Sequence, residues 1–126
     1  MISQGFRTYD IEANDFPITF TASTDDAVLP DLAPVVFLFQ DVTSGAITRK
    51  RLKFKETANG TATLELKELA GPCNVVFAIQ VRFPAATPTD RPLKLLLVSN
   101  DNQKAKDAIP PEDKPIVFAN YVMHFR

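Results

Sequence analysis

The chain has 126 residues, enough for one domain with a real core, and its 45% apolar and 23% charged content is that of an ordinary globular protein. The single cysteine, Cys73, excludes an intrachain disulfide, and ten Phe against two Tyr and no Trp leave a lectin-type sugar platform poorly supplied. The net charge of −1 is unevenly spread: Asp10, Glu12, Asp15, Asp25, Asp26, Asp31 and Asp41 precede most of the basic residues, with Arg7 the one base among them.

Met1 to Ile11 lacks an apolar signal-peptide core, and no run approaches the ~18 apolar residues of a transmembrane segment. A cytoplasmic location is therefore expected. Phe16, Ile18, Phe20 and Ala22 alternate with polar residues, which is the period of a half-buried strand, and Pro17 sits at its start. Residues 24–34 read as a loop rich in Asp and Pro. Val35 to Phe39 is a continuous apolar run, expected for a central strand covered on both faces. Ser44-Gly45 marks a turn.

The basic tract follows. Arg49, Lys50, Arg51, Lys53 and Lys55 supply five of the fourteen basic residues within seven positions. Leu52 and Phe54 alternate with charge, so the tract reads as one strand with Arg49, Arg51, Lys53 and Lys55 on its open face. Asn59-Gly60 is a strong hairpin signal. A two-residue loop would set Phe54 opposite Glu65 and Leu52 opposite Lys67. A three-residue loop with Gly60 in the left-handed region sets Phe54 opposite Leu64, Leu52 opposite Leu66 and Lys53 opposite Glu65. A one-residue slip flips every side chain, so the pattern selects the second register. Lys67 then lies opposite Arg51 and extends the basic row.

Val75, Phe77, Ile79, Val81 and Phe83 form one apolar face of the next strand. Leu93 to Ser99 is another strand. Residues 100–115 read as a long loop in which Ala105 to Ala108 makes a helical turn. Ile116 to Phe125 closes the chain, with Ile116, Phe118 and Val122 on one side and Val117, Ala119, Tyr121, Met123 and Phe125 on the other. Short strands at this spacing predict an all-β, antiparallel two-sheet β-sandwich of about 7–8 strands, immunoglobulin-like or C2-like, in a single domain spanning residues 1–126.

The candidate binding residues are Arg49, Lys50, Arg51, Lys53, Lys55 and Lys67. Like charges in a row repel one another and call for an anionic partner, whether a protein, an anionic lipid or a nucleic acid. The plain alternative is an edge strand that charge keeps from aggregating. Base stacking is not supplied, because Phe54 alternates into the core. From Ile18 through Phe83 the order strand, Asp-bearing loop, strand and basic strand is similar to C2 domains. That resemblance implies calcium on loop aspartates such as Asp25, Asp26 and Asp31, and anionic lipid on the basic strand. A second loop with paired Asp is missing, Asp101-Asn102 being a poor substitute, so turn-forming Asp is the reading adopted and no metal or other cofactor is expected.

A nucleophilic pair would need Cys73 and His124 together with an orienting group, and neither residue has a local sequence that supplies one. Asn59-Gly60-Thr61 matches a glycosylation sequon but is read as the hairpin turn. Val35–Phe39, Leu93–Val98 and Ile116–Phe125 carry apolar residues on both faces, more than a two-layer sandwich covers. The expected function is a non-enzymatic binding or assembly subunit that docks to itself or to another protein through a polarised surface and apolar strands. Acidic and basic surfaces on different sides would let copies meet head to tail. The alternative is a peripheral module for anionic lipid or nucleic acid.

Overall fold

A computed structural model describes residues 8–25, 28–67, 71–85, 87–88, 90–99, 102–112 and 114–126. Among the described residues the fold is all-β, with eleven strands in two sheets. Sheet A holds β1 (Thr8–Ile11), β11 (Ile116–Phe125), β8 (Cys73–Arg82), β4 (Val35–Asp41) and β5 (Ile47–Leu52) in that spatial order, and the short β3 (Asp31–Leu32) pairs with the far end of β8. Sheet B runs β10 (Asn102–Ile109), β9 (Leu93–Ser99), β2 (Ile18–Ser23), β7 (Thr61–Leu66), β6 (Lys55–Ala58). A 3-10 turn, Ala13–Asp15, joins β1 to β2.

Alternation sets the core, because successive residues of a strand face opposite sides of a sheet. Val75, Phe77, Ile79 and Val81 of β8 and Val117, Ala119, Tyr121, Met123 and Phe125 of β11 are buried, as are Ile18, Phe20 and Ala22 of β2 and Leu93, Leu95 and Leu97 of β9. The two inner faces meet through rings. Phe77 lies 4.7 Å from Phe37, 5.2 Å from Tyr121 and 5.4 Å from Phe20 across the sandwich, centroid to centroid. Edge-to-face and offset rings at such separations add to what their burial contributes.

Three expectations need correction. The strand count exceeds 7–8, because β1, β3 and β10 are additional and the basic tract forms two strands instead of one. Sheet A is mixed rather than antiparallel, since β1 runs parallel to β11. Residues 105–108 lie in β10, not in a helical turn. Ala105, Asp107 and Ile109 point inward there, and a carboxylate at an inward position hides the strand period.

The basic tract divides at Lys53-Phe54. Before this link, Arg49, Lys50 and Arg51 pair with Leu38, Phe37 and Val36 in sheet A. After it, Lys55 and Glu56 pair with Thr63 and Ala62 in sheet B. Leu52 and Phe54 each pack against the core on either side of the crossing. An alternating pattern satisfies both pairings equally, so it specifies the face of a strand and not its neighbour. Leu52 therefore does not oppose Leu66, nor Arg51 Lys67. The register of the hairpin beyond its tip is the expected one, but its loop is the two residues Asn59-Gly60 and not three, since Ala58 pairs with Thr61. Lys55 meets Thr63, the register in which Phe54 is aligned with Leu64, and Gly60 has φ 76°. The odd residue is Thr57, bulged from β6, where the register shifts between Glu56 and Ala58.

Candidate docking surface

Cross-strand partners share a face, so the register maps the outer face of sheet A row by row. One row runs Thr8, Val122, Val76, Leu38, Arg49. The next runs Asp10, His124, Asn74, Gln40, Ile47. On the other side of the first row lie Asn120 and Ala78, then Phe118 and Gln80. Leu38 is 40% exposed, Val76 45%, Phe118 61% and Ile47 65%. These four are most of the large exposed hydrophobic residues among the described residues, the others being Val28 and Val42. The face thus has an apolar centre on β11, β8 and β4.

Its two edges differ in charge. β5 is the edge strand beyond β4 and is exposed along its length except at Leu52. Arg49 and Arg51 project onto the outer face with Leu38 and Val36, and Lys50 projects to the opposite face with Phe37. Lys53 is exposed in the link, Lys55 lies on the outer face of sheet B at its β6 edge, and Lys67 is exposed just past β7. The six predicted residues are therefore not one row on one face, and only Arg49 and Arg51 share the outer face of sheet A. The opposite edge of that sheet is β1, which places Asp10 on the outer face and leads directly to Glu12 and Asp15. Asp10 accepts a hydrogen bond from Arg126 at 3.3 Å, with both side chains largely exposed. Four strand intervals separate the two edges, roughly 19 Å.

The remaining acidic residues are dispersed. Asp25 accepts a hydrogen bond from the Lys94 ammonium at 2.7 Å, and that bond with its charge holds the Asp25 carboxyl below its ordinary range. Asp31 lies in β3, paired with Arg82. Asp41 accepts the backbone N–H groups of Ser44 and Thr43 at 2.8 Å each, which lowers its pKa and closes the β4–β5 turn. Asp26 is outside the described residues, as is Asp101. Among the described residues no group of three His, Cys, Asp or Glu side chains could hold a metal ion.

Cys73 is paired with Phe125 and His124 with Asn74, so the thiol and the imidazole face opposite sides of sheet A. Burial, helped by Asp41, pushes the Cys73 thiol pKa up and makes it a poorer nucleophile. His124 Nδ1 instead shares a 2.7 Å hydrogen bond with Asn74 Oδ1. Asn59 of the sequon lies exposed in the β6–β7 turn. An open cleft of ≈ 310 Å³ lies between Val28, Leu29 and Leu32 on one side and Phe54, Glu56 and Ala62 on the other.

Two features escaped sequence reasoning. Val76 completes the apolar row, and its only signal was the uninterrupted run Val75-Val76-Phe77. Asp107 is buried, and its Oδ2 accepts the Tyr121 hydroxyl at 2.6 Å, tying β10 of one sheet to β11 of the other. Among the described residues no helix is long and apolar enough to cross a membrane. No protein-family model matches the chain, and no match to it is found among the curated proteins or the solved structures.

Proposed function

We propose that this protein is a non-enzymatic binding or assembly subunit that docks to itself or to another protein through the outer face of sheet A. The observation that carries the reading is the gathering of Leu38, Ile47, Val76 and Phe118 on that one face. Scattered exposed apolar residues are normal, whereas a patch flanked by charge has the anatomy of an interface, an apolar centre with a polar rim. Arg49 and Arg51 supply one rim and Asp10 the other. Charge at the rim steers and orients the encounter, and apolar burial holds it. Association therefore weakens at high salt without vanishing, because rim pairs contribute only ~0–1 kcal/mol each and are screened.

The test is the size at which the protein elutes from a gentle extract of its own cells. Wild type is expected well above the monomer mass. Val76→Asp, which puts a charge in the centre of an exposed face, is expected to elute as a folded monomer. Thr21→Asp, on the outer face of sheet B, is expected to elute with wild type. Equal elution of all three would contradict the reading. Co-sedimentation of a monomer with anionic vesicles, lost in Arg49→Glu/Arg51→Glu, would favour the lipid alternative.

A further inference from the structure

We propose that the open edge of β5 takes up an acidic, extended peptide segment of a partner protein, which joins sheet A as a further strand. The inference goes beyond the docking reading: it concerns the backbone edge of the sheet and not its outer face, and neither depends on the other. β5 ends the path β1-β11-β8-β4-β5 and pairs only with β4 among the described residues. An edge strand presents a row of backbone N–H and C=O groups with which another chain can pair. The phase of that row is fixed at the β4–β5 turn. The Asp41 N–H donates to the Ala46 C=O at 2.9 Å, so Asp41 and Ala46 are a hydrogen-bonded pair. In an antiparallel ladder such pairs alternate with non-bonded ones. Thr48 and Lys50 therefore bond to Phe39 and Phe37 of β4, and Ile47, Arg49 and Arg51 turn their N–H and C=O groups to the open side. The side chains of these three stand on the outer face with Gln40, Leu38 and Val36, and residues 47–51 are all exposed.

Charge selects the occupant. An antiparallel strand beside β5 sets its side chains opposite those of Arg51, Lys50, Arg49, Thr48 and Ile47 in turn. Opposite charges across strands attract and like charges repel. Arg51 and Arg49 therefore call for carboxylates on the outer face, Lys50 for one on the other face, and Ile47 for an apolar side chain. The segment that fits reads acidic, acidic, acidic, polar, apolar. Arg49, Lys50 and Arg51 make no ion pair among the described residues, so their charges are at hand for it. The same charges turn away a second β5, which would bring basic residues against their own kind. A phosphate surface, of lipid or nucleic acid, offers acceptors to the side chains. It has no row of N–H donors at the two-residue repeat, roughly 7 Å, on which the Arg49 and Arg51 C=O groups lie. An acidic peptide satisfies side chains and backbone together.

The experiment is fluorescence anisotropy of the labelled, end-capped peptide Thr-Glu-Glu-Glu-Thr-Val-Thr with the purified full chain, at low and at high salt. Saturable binding is expected, several-fold weaker at high salt. The last Glu lies opposite Arg49 and exchanges both backbone bonds with it, whereas the middle Glu, opposite Lys50, points its N–H away from β5. N-methylation of the last Glu is expected to weaken binding at least about tenfold, and N-methylation of the middle Glu to leave it within about twofold. Arg49→Glu/Arg51→Glu is expected to weaken binding about tenfold or more, and to take instead the peptide with Lys at the first and last Glu positions. Lys104→Glu/Lys106→Glu, the same change of net charge on the β10 edge of sheet B, is expected to bind as wild type does. Absence of saturable binding overturns the inference. So does an equal response to the two N-methylations, since charge alone would then hold the peptide. So does an Arg49→Glu/Arg51→Glu variant that keeps the acidic peptide or refuses its Lys counterpart. Anionic vesicles or a DNA oligonucleotide bound through Arg49 and Arg51 while the peptide is not would assign the edge to phosphate. The docking reading is judged separately, by the elution of Val76→Asp from extracts, so either can fail alone.

Discussion

Replacing Phe77 by alanine is expected to lower stability by about 3–5 kcal/mol, the range for a large aromatic truncated in a packed core. Phe77 is only 3% exposed and sits at the centre of the sandwich, against Phe37, Tyr121 and Phe20. Three aromatic neighbours cannot collapse into the space a phenyl ring leaves, so both transfer and cavity terms apply. Domains of this size hold together by ~5–15 kcal/mol, so the variant is expected to melt on the order of 10–20 °C lower. Denaturant unfolding and calorimetry check this. A loss below ~1 kcal/mol would mean that the inner faces do not meet at Phe77.

The second large effect is at the polar bridge between the sheets. Tyr121→Phe keeps the ring stacked on Phe77 but removes the hydroxyl that Asp107 Oδ2 accepts at 2.6 Å. The buried carboxyl retains the Ala108 N–H at 2.8 Å on its other oxygen. Losing this buried hydrogen bond costs about 0.5–1.5 kcal/mol, read as a lower denaturation midpoint with unchanged slope. An unchanged midpoint would mean that the hydroxyl does not bridge the sheets.

Much of the fold was legible in the sequence because burial follows period. Val75, Phe77, Ile79, Val81 and Phe83 alternate, and all five are buried. The two sides of Ile116–Phe125 separate as the residues dictate, since the side bearing Tyr121 and Met123 is buried and Phe118 is exposed. What period cannot convey is neighbourhood. Arg49 to Lys55 alternates as a strand should, yet it turns from one sheet to the other at Lys53-Phe54, because Leu52 and Phe54 find apolar contacts on both sides of that crossing. β10 was hidden by Asp107, an inward carboxyl that only a tertiary partner on β11 makes tolerable.

The surface was half legible. Apolar residues on both faces of Val35–Phe39 and Ile116–Phe125 announced an uncovered face. The basic tract announced an edge. Which residues the two contribute to a common face depends on strand order, and that is a long-range property. Strand order places Arg49 and Arg51 beside Leu38 and sends Lys55 to the other sheet.

The most direct measurement is hydroxyl-radical footprinting of the side chains, comparing the protein in its associated form with the protein diluted to monomer. Leu38, Val76 and Phe118 are expected to be shielded on association and labelled on dilution, while Val28, 72% exposed and away from that face, is expected to be labelled alike in both. Shielding of Val28 with unchanged labelling of Leu38, Val76 and Phe118 would contradict the claim that the outer face of sheet A is the docking surface.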